Sequence, residues 1–194
     1  ISNQVSNAAA ITIDNIITPA SVVVTNDTGV SLIDNITSDP SLTIGALDLD
    51  ATREVFIDGV SIGAAYMAPA VDGTYLVDVT DTDTAGNTST ASVTFTLDTL
   101  VADPAFALNT DTGVSPVDGI SMNGQVDVPL VADVDTWQYS TDGGATWTAG
   151  VGASFVLADA VYAIGDVVVE QTDLAGNISN QVSNAAAITI DNII

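Results

Sequence analysis

The chain has 194 residues, 47% of them hydrophobic, and sets 25 acidic side chains against the single base Arg53, for a formal charge of −24. Such a surface cannot neutralise phosphate, which makes nucleic acid and anionic lipid poor partners, and no nucleic acid is expected to bind. With no histidine, cysteine or lysine, the commonest catalytic bases and nucleophiles and any disulfide are excluded as well.

The chain opens on ISNQVSNAAAITIDNII at 1–17, and the same seventeen letters return at 178–194 without a substitution. An identical stretch at both ends is expected of a fragment of a longer tandem array. Residues 1–14 then form an overhang, the closing strand of a preceding repeat. Ile11 and Ile13 have no sandwich of their own to close; they are expected to lie exposed, to pair with a neighbouring sheet edge, or to belong to a split domain.

Period-two alternation follows. In 15–100 it predicts strands near 20–25, 41–46, 53–57, 60–66, 74–80 and 90–97, and Asp58-Gly59 predicts a two-residue hairpin turn, which needs positive φ angles. In 101–194 strands are predicted near 104–109, 124–131, 134–140, 145–150, 154–157, 166–172 and 183–190. Mean hydropathy is +0.42, yet no apolar run approaches the roughly 18 residues of a membrane helix, so direct membrane insertion is not expected. Seven or so short strands in about 90 residues give an all-β chain of tandem immunoglobulin-like antiparallel β-sandwiches, one in 15–100 and one in 101–194. The segments joining them are short and hold Pro19 and Pro104, which predicts a stiff connection.

The internal correspondences are ordered. NDTGVSLIDNIT at 26–37 answers TDTGVSPVDGIS at 110–121, TDTAGNTS at 82–89 answers TDLAGNIS at 172–179, and Asp14, Asp98 and Asp191 each end a closing strand. Of the acids only Glu54 and Glu170 are Glu. Asp is the short carboxylate of turns and of hard-cation sites, and repulsion between converging Asp is relieved when calcium takes about six to eight oxygens. The bland alternative is that these residues make Asx turns and keep loops soluble.

These segments resemble the tandem Ig-like repeats of giant bacterial surface adhesins, the calcium-dependent extender domains of RTX-type and biofilm-associated adhesins. The hairpin from Trp137 to Trp147 is also similar to one in such repeats; the first unit has Arg53-Glu54-Val55-Phe56-Ile57-Asp58-Gly59 there instead. The resemblance implies Ca2+ at the joints, and the candidate ligands are Asp14, Asp27, Asp34, Asp81, Asp83, Asp98, Asp111, Asp118, Asp173 and Asp191. One joint is expected to gather Asp98, Asp111 of the following unit and the turn holding Asp81 and Asp83, with no base nearby to pair them. The implied role is a secreted, extracellular extender at the bacterial surface, attached at the outer membrane, whose partners are neighbouring repeats of the same chain and calcium. A distal domain would bind the ligand in adhesion or biofilm formation.

Three other readings are weaker. Trp137 and Trp147 could stack on a glycan, although Trp137 and Tyr139 alternate like core strand residues. Acid pairs can hydrolyse glycosides, yet Glu54 and Glu170 lie in different units and the Asp clusters recur as turns would. The threonines at 88, 90, 94 and 96 could form an ice-binding face but are ordinary solvent-side strand residues. The chain is expected not to be an enzyme.

Overall fold

The computed structural model describes residues 11–192, so the expectations for residues 1–10 lie outside the described residues. Contacts divide the chain into two compact units. The first comprises the residues up to Asn26 with Pro40–Thr96; the second comprises Asp27–Asp39 with the residues from Leu97 onward. The segment Asp27–Asp39, assigned by sequence to 15–100, therefore packs with the second unit. Among the described residues no helix is long and apolar enough to cross a membrane.

In the first unit, β1 (Val22–Val24) pairs antiparallel with β3 (Leu42–Ile44), while β2 (Ile36–Thr37) lies in the segment that belongs to the second unit. A second sheet runs in the order β7, β6, β4, β5, from Thr88–Leu97, Gly73–Asp83, Ala51–Ile57 and Val60–Gly63. The predicted hairpin is present: Ile57 faces Val60 across Asp58 and Gly59, whose φ angles are 50° and 75°. Val22 from the first sheet and Val55, Val77, Val79 and Phe95 from the second are buried. Both sheets thus bury apolar side chains on one face, as the sheets of a β-sandwich do.

The inward register of β6 does not stop at the valines. Two residues at a time it carries on to Asp81 and Asp83, both buried. Period two therefore drives two carboxylates into the end of the core, and each needs a partner there.

The second unit contains β8 (Ala107–Leu108), β9 (Ile120–Ser121), β10 (Gln125–Asp127), β11 (Val134–Ser140), β12 (Thr148–Ala149), β13 (Ser154–Val156), β14 (Ala160–Tyr162), β15 (Val168–Asp173), β16 (Val182–Ser183) and β17 (Ile188–Ile190). Its sheets run β13–β10–β8, β12–β11–β15–β16 and β14–β17–β9. Val126, Trp137, Phe155, Tyr162, Val169, Ile188 and Ile190 make one buried cluster from all three. Each large apolar member contributes about 2 kcal/mol relative to exposure. Tyr139 stacks on Phe155 at 4.1 Å between ring centroids, and the Trp137 indole N–H donates to Gly152 O at 2.8 Å. Gly150 lies against that indole, since a Cβ there would fall 2.0 Å from the ring.

Two of the departures from the predicted strands shape the end of the second unit. The stretch 183–190 is not continuous: Asn184, buried, interrupts it, its Oδ1 accepting from Gly165 N at 3.1 Å and Val167 N at 2.9 Å and its Nδ2 donating to Ala163 O and Ala186 O, both at 2.8 Å. An amide that satisfies four backbone groups outcompetes the ladder at that point. After the break, β17 pairs in parallel with β9, Thr189 opposite Ile120 and Ile190 opposite Ser121. As expected, Ile188 and Ile190 close this sandwich, whereas the matching Ile11 and Ile13 are exposed and outside any strand.

Candidate functional site

The Asp-Thr-Gly segments fold into the same small device twice. In one, Asp27 Oδ2 accepts Asn35 N at 2.9 Å and Asp34 Oδ1 accepts Ile36 N at 3.0 Å. In the other, Asp111 Oδ2 accepts Gly119 N at 2.8 Å and Asp118 Oδ1 accepts Ile120 N at 3.1 Å. Thr28 N approaches Thr37 Oγ1 at 3.4 Å, and Thr112 N approaches Ser121 Oγ at 3.4 Å. Asp34 and Asp118 thus make Asx turns. Asp27 and Asp111 are built differently: the second oxygen of each, Oδ1, is buried and has no hydrogen-bond partner. A buried, unpartnered carboxylate oxygen is costly unless something positive meets it.

The closing-strand aspartates arrive beside these loops through the backbone. Asp98 N donates to Thr37 O and Asp191 N to Ser121 O, both at 3.0 Å. For Asp191 this follows from the parallel β9–β17 pairing.

The Ala-Gly-Asn turns are a second repeated device. Asn177 N and Nδ2 donate to Asp173 Oδ1 and Oδ2, each at 2.8 Å, and Nδ2 also reaches Asp98 O at 2.9 Å. Asn87 holds Asp83 in the same way, at 2.7 Å for both contacts, and its Nδ2 reaches Asp14 O at 3.3 Å. The amide of Asn87, followed by the backbone N–H groups of its turn, keeps Asp83 below the usual carboxylate range against the opposing effect of burial. Asp14 also accepts Ile16 N, at 3.2 Å.

Asp98 joins the loop of Asp27 and the turn of Asp173 in the second unit. A closing strand ends next to the loop of its own repeat, as β17 does next to Ser121. Asp81, for which no base was expected nearby, has one. Arg53 Nε and Nη2 donate to its two oxygens, each at 2.7 Å, and Nη1 donates to Gly45 O at 2.9 Å. Asp81 is therefore the partner of a buried ion pair, both of its oxygens engaged by Arg53. The hydrogen bond to Asp81 raises the already high pKa of Arg53. In the second unit the matching residue is the buried Gln171, whose Nε2 donates to Ala102 O at 2.6 Å. Where no arginine is present, the carboxylate is replaced by an amide.

Among the described residues no three acidic side chains converge into a metal site made of carboxylates alone. A cation at Asp27 or Asp111 would draw its remaining oxygens from carbonyls, hydroxyls and water, which suits calcium. The unpartnered Oδ1 atoms are the features that fit it.

Trp137 is core, 5% exposed, and Trp147 is half-buried. A cleft of about 550 Å³ is lined by Ala105, Phe106, Asp127, Val128, Pro129 and Ala153 among others, without either tryptophan. Another, of about 420 Å³, includes Asp111 and Asp118, both engaged with backbone N–H groups.

No family model matches the chain, and no curated protein does. Among solved structures, the fibronectin(III)-like modules of Clostridium thermocellum CbhA are similar at 9% identity over 87% of this chain and 93% of theirs, with a TM-score of 0.42. A tetra-tandem repeat in the extending region of a large adhesion protein is similar at 17% identity over 90% of this chain, with a TM-score of 0.36. The Bacteroides ovatus SGBP-B of a mixed-linkage glucan utilization locus, in complex with a mixed-linkage heptasaccharide, is similar at 15% identity over 81% of this chain, with a TM-score of 0.28. The chain spans 49% and 42% of the lengths of these last two.

Proposed function

We propose that this chain is part of the extender region of a bacterial cell-surface adhesin, in which tandem Ig-like domains are stiffened by calcium where one repeat follows another. Its place is extracellular, and its task is mechanical: to hold a distal binding domain away from the cell during adhesion or biofilm formation. The observation that carries the reading is the pair of buried Oδ1 atoms on Asp27 and Asp111, the only unpartnered carboxylate oxygens among the described buried side-chain atoms. They occupy matching positions in a twice-built loop.

Asp27 would hold one ion and Asp111 another, each through its buried Oδ1, with carbonyls, hydroxyls and water completing the shell. Calcium supplies the positive charge that the sequence otherwise lacks near these loops. The residues do the rest: Asx turns at Asp34 and Asp118 fix the loop, and the Asp98 N–H to Thr37 O bond brings in the closing strand. Carboxylates that repel one another when calcium is scarce would leave these loops loose before export and firm outside the cell.

Thermal unfolding in calcium and in chelator tests the reading. One site at about 100 times its Kd adds about 2.7 kcal/mol, enough to raise the Tm by several degrees. Identical melting temperatures in the two buffers would sink it.

A further inference from the structure

Within the second unit, the Thr28-Gly29 loop and the Ala175-Gly176 turn meet backbone to backbone. Thr28 Oγ1 donates to Ala175 O at 2.6 Å. A Cβ on Gly29 would lie 2.0 Å from Leu174 O, and one on Gly176 would lie 2.9 Å from Gly29 Cα. Ala175 is 0% exposed as a result.

Both halves of this contact occur once more in the chain, without their counterpart among the described residues. Ala85, Gly86 and Gly113 are exposed, and Val114 is fully so. A Cβ on Gly86 would meet nothing within 4 Å, and one on Gly113 only Ile120 O at 3.8 Å. Their backbones are nevertheless already in the docked form: φ is 92° at Gly86 against 88° at Gly176, and 105° at Gly113 against 92° at Gly29. The internal bonds match too, with Met122 N donating to Thr112 Oγ1 at 2.7 Å where Ser38 N donates to Thr28 Oγ1 at 2.8 Å. Preformed surfaces lose little conformational entropy on association.

We propose that the Thr112-Gly113 loop and the Ala85-Gly86 turn are complementary docking surfaces, and that each binds the other on a second copy of this chain. Thr112 Oγ1 donates to the partner's Ala85 carbonyl, as Thr28 Oγ1 does to Ala175 O. The incoming chain brings Ile188–Asn192, identical to Ile11–Asn15. Its Asp191 carbonyl takes over Asn87 Nδ2 from Asp14 O, and little packing is lost because Ile11, Ile13 and Ile16 are exposed. The two surfaces differ, so the contact is heterologous and adds copies head to tail. This deepens the tandem-repeat reading by naming the surfaces through which repeats recognise one another, and it does not depend on calcium.

Sedimentation velocity on the full chain, from about 10 μM to about 1 mM and in both calcium and chelator, tests it. The wild-type mass is expected to climb past that of a dimer in at least one buffer. Gly113→Asn and Gly86→Asn, which fill the contact with a side chain tolerant of positive φ, should each remain monomeric. Their equimolar mixture should stop at the dimer, because only one intact surface of each kind remains. If circular dichroism shows that Gly86→Asn does not fold, Ala85→Gln, on an exposed residue, replaces it. A wild type that stays monomeric throughout in both buffers, variants that associate like the wild type, or a mixture that grows past the dimer would each overturn the proposal. Association with equal melting temperatures in calcium and chelator would remove the calcium reading alone.

Discussion

Single residues carry the sharpest contrasts in this molecule because the repeat supplies an internal control for each. Gly29 and Gly113 share a sequence context and a positive φ, but only Gly29 faces a carbonyl that a Cβ would strike. Alanine at either position incurs the same backbone strain; at Gly29 it adds overpacking of about 2 kcal/mol. Urea denaturation of Gly29→Ala and Gly113→Ala should show that difference, and equal losses would mean that the loop does not lie against Leu174. A second residue-scale prediction concerns acid. The Asp142 carboxylate accepts from Ser140 Oγ at 2.6 Å, Thr146 Oγ1 at 2.6 Å and Thr146 N at 2.8 Å. The side-chain bond from Ser140, then those from Thr146, hold its pKa down to about 2 from 3.8. A depressed folded-state pKa means that the unfolded chain binds the proton first. Its stabilisation is therefore complete above about pH 4 and is lost as the pH falls toward 2. In Asp142→Asn the Tm should fall less steeply over that window than in the wild type.

At the scale of elements, the end of β6 shows what happens when a strand's register delivers charge into a core. Arg53 and Asp81 answer one another across the β4–β6 pairing, where they are directly opposite. Removing only the arginine leaves a buried carboxylate uncompensated, so Arg53→Met is expected to lose about 3 kcal/mol in a denaturant titration. Adding Asp81→Leu should recover most of it; a double variant as unstable as the single one would deny that the pair matters through its charge. These elements were largely legible beforehand. Val134–Ser140 matches the predicted 134–140, and the Asp58-Gly59 hairpin is where its turn chemistry puts it. Less visible was whatever depends on partners distant in the chain. The parallel pairing of Ile120–Ser121 with β17 and the break at Asn184 both arise from tertiary hydrogen bonds that override local alternation. The repeated Asp turns of the candidate site were legible, but not which of them lie side by side. The sequence pattern names Asp27, Asp98 and Asp173, but it cannot tell that the first of these loops packs with the second unit. Arg53 shows the same limit, because the base that pairs Asp81 lies 28 positions away and is recognisable only once β4 and β6 are paired.

For the whole molecule, the governing quantity is a charge of −24 with a single base already committed to Asp81. Such a chain cannot quench its own carboxylates, and two of them keep a buried oxygen without a donor. Calcium at the Asp27 and Asp111 loops is the central claim of the account. Titration calorimetry of calcium into the full chain tests it most directly, in the range of about 0.1–1 mM or tighter that extracellular modules use. The account predicts saturable binding at two sites, the one at Asp27 the tighter because the turn of Asp173 is docked beside it. Asp27→Asn should remove that site, Asp111→Asn the other, and Asp142→Asn neither. Absence of saturable binding, or a stoichiometry unchanged by Asp27→Asn and Asp111→Asn, would contradict it.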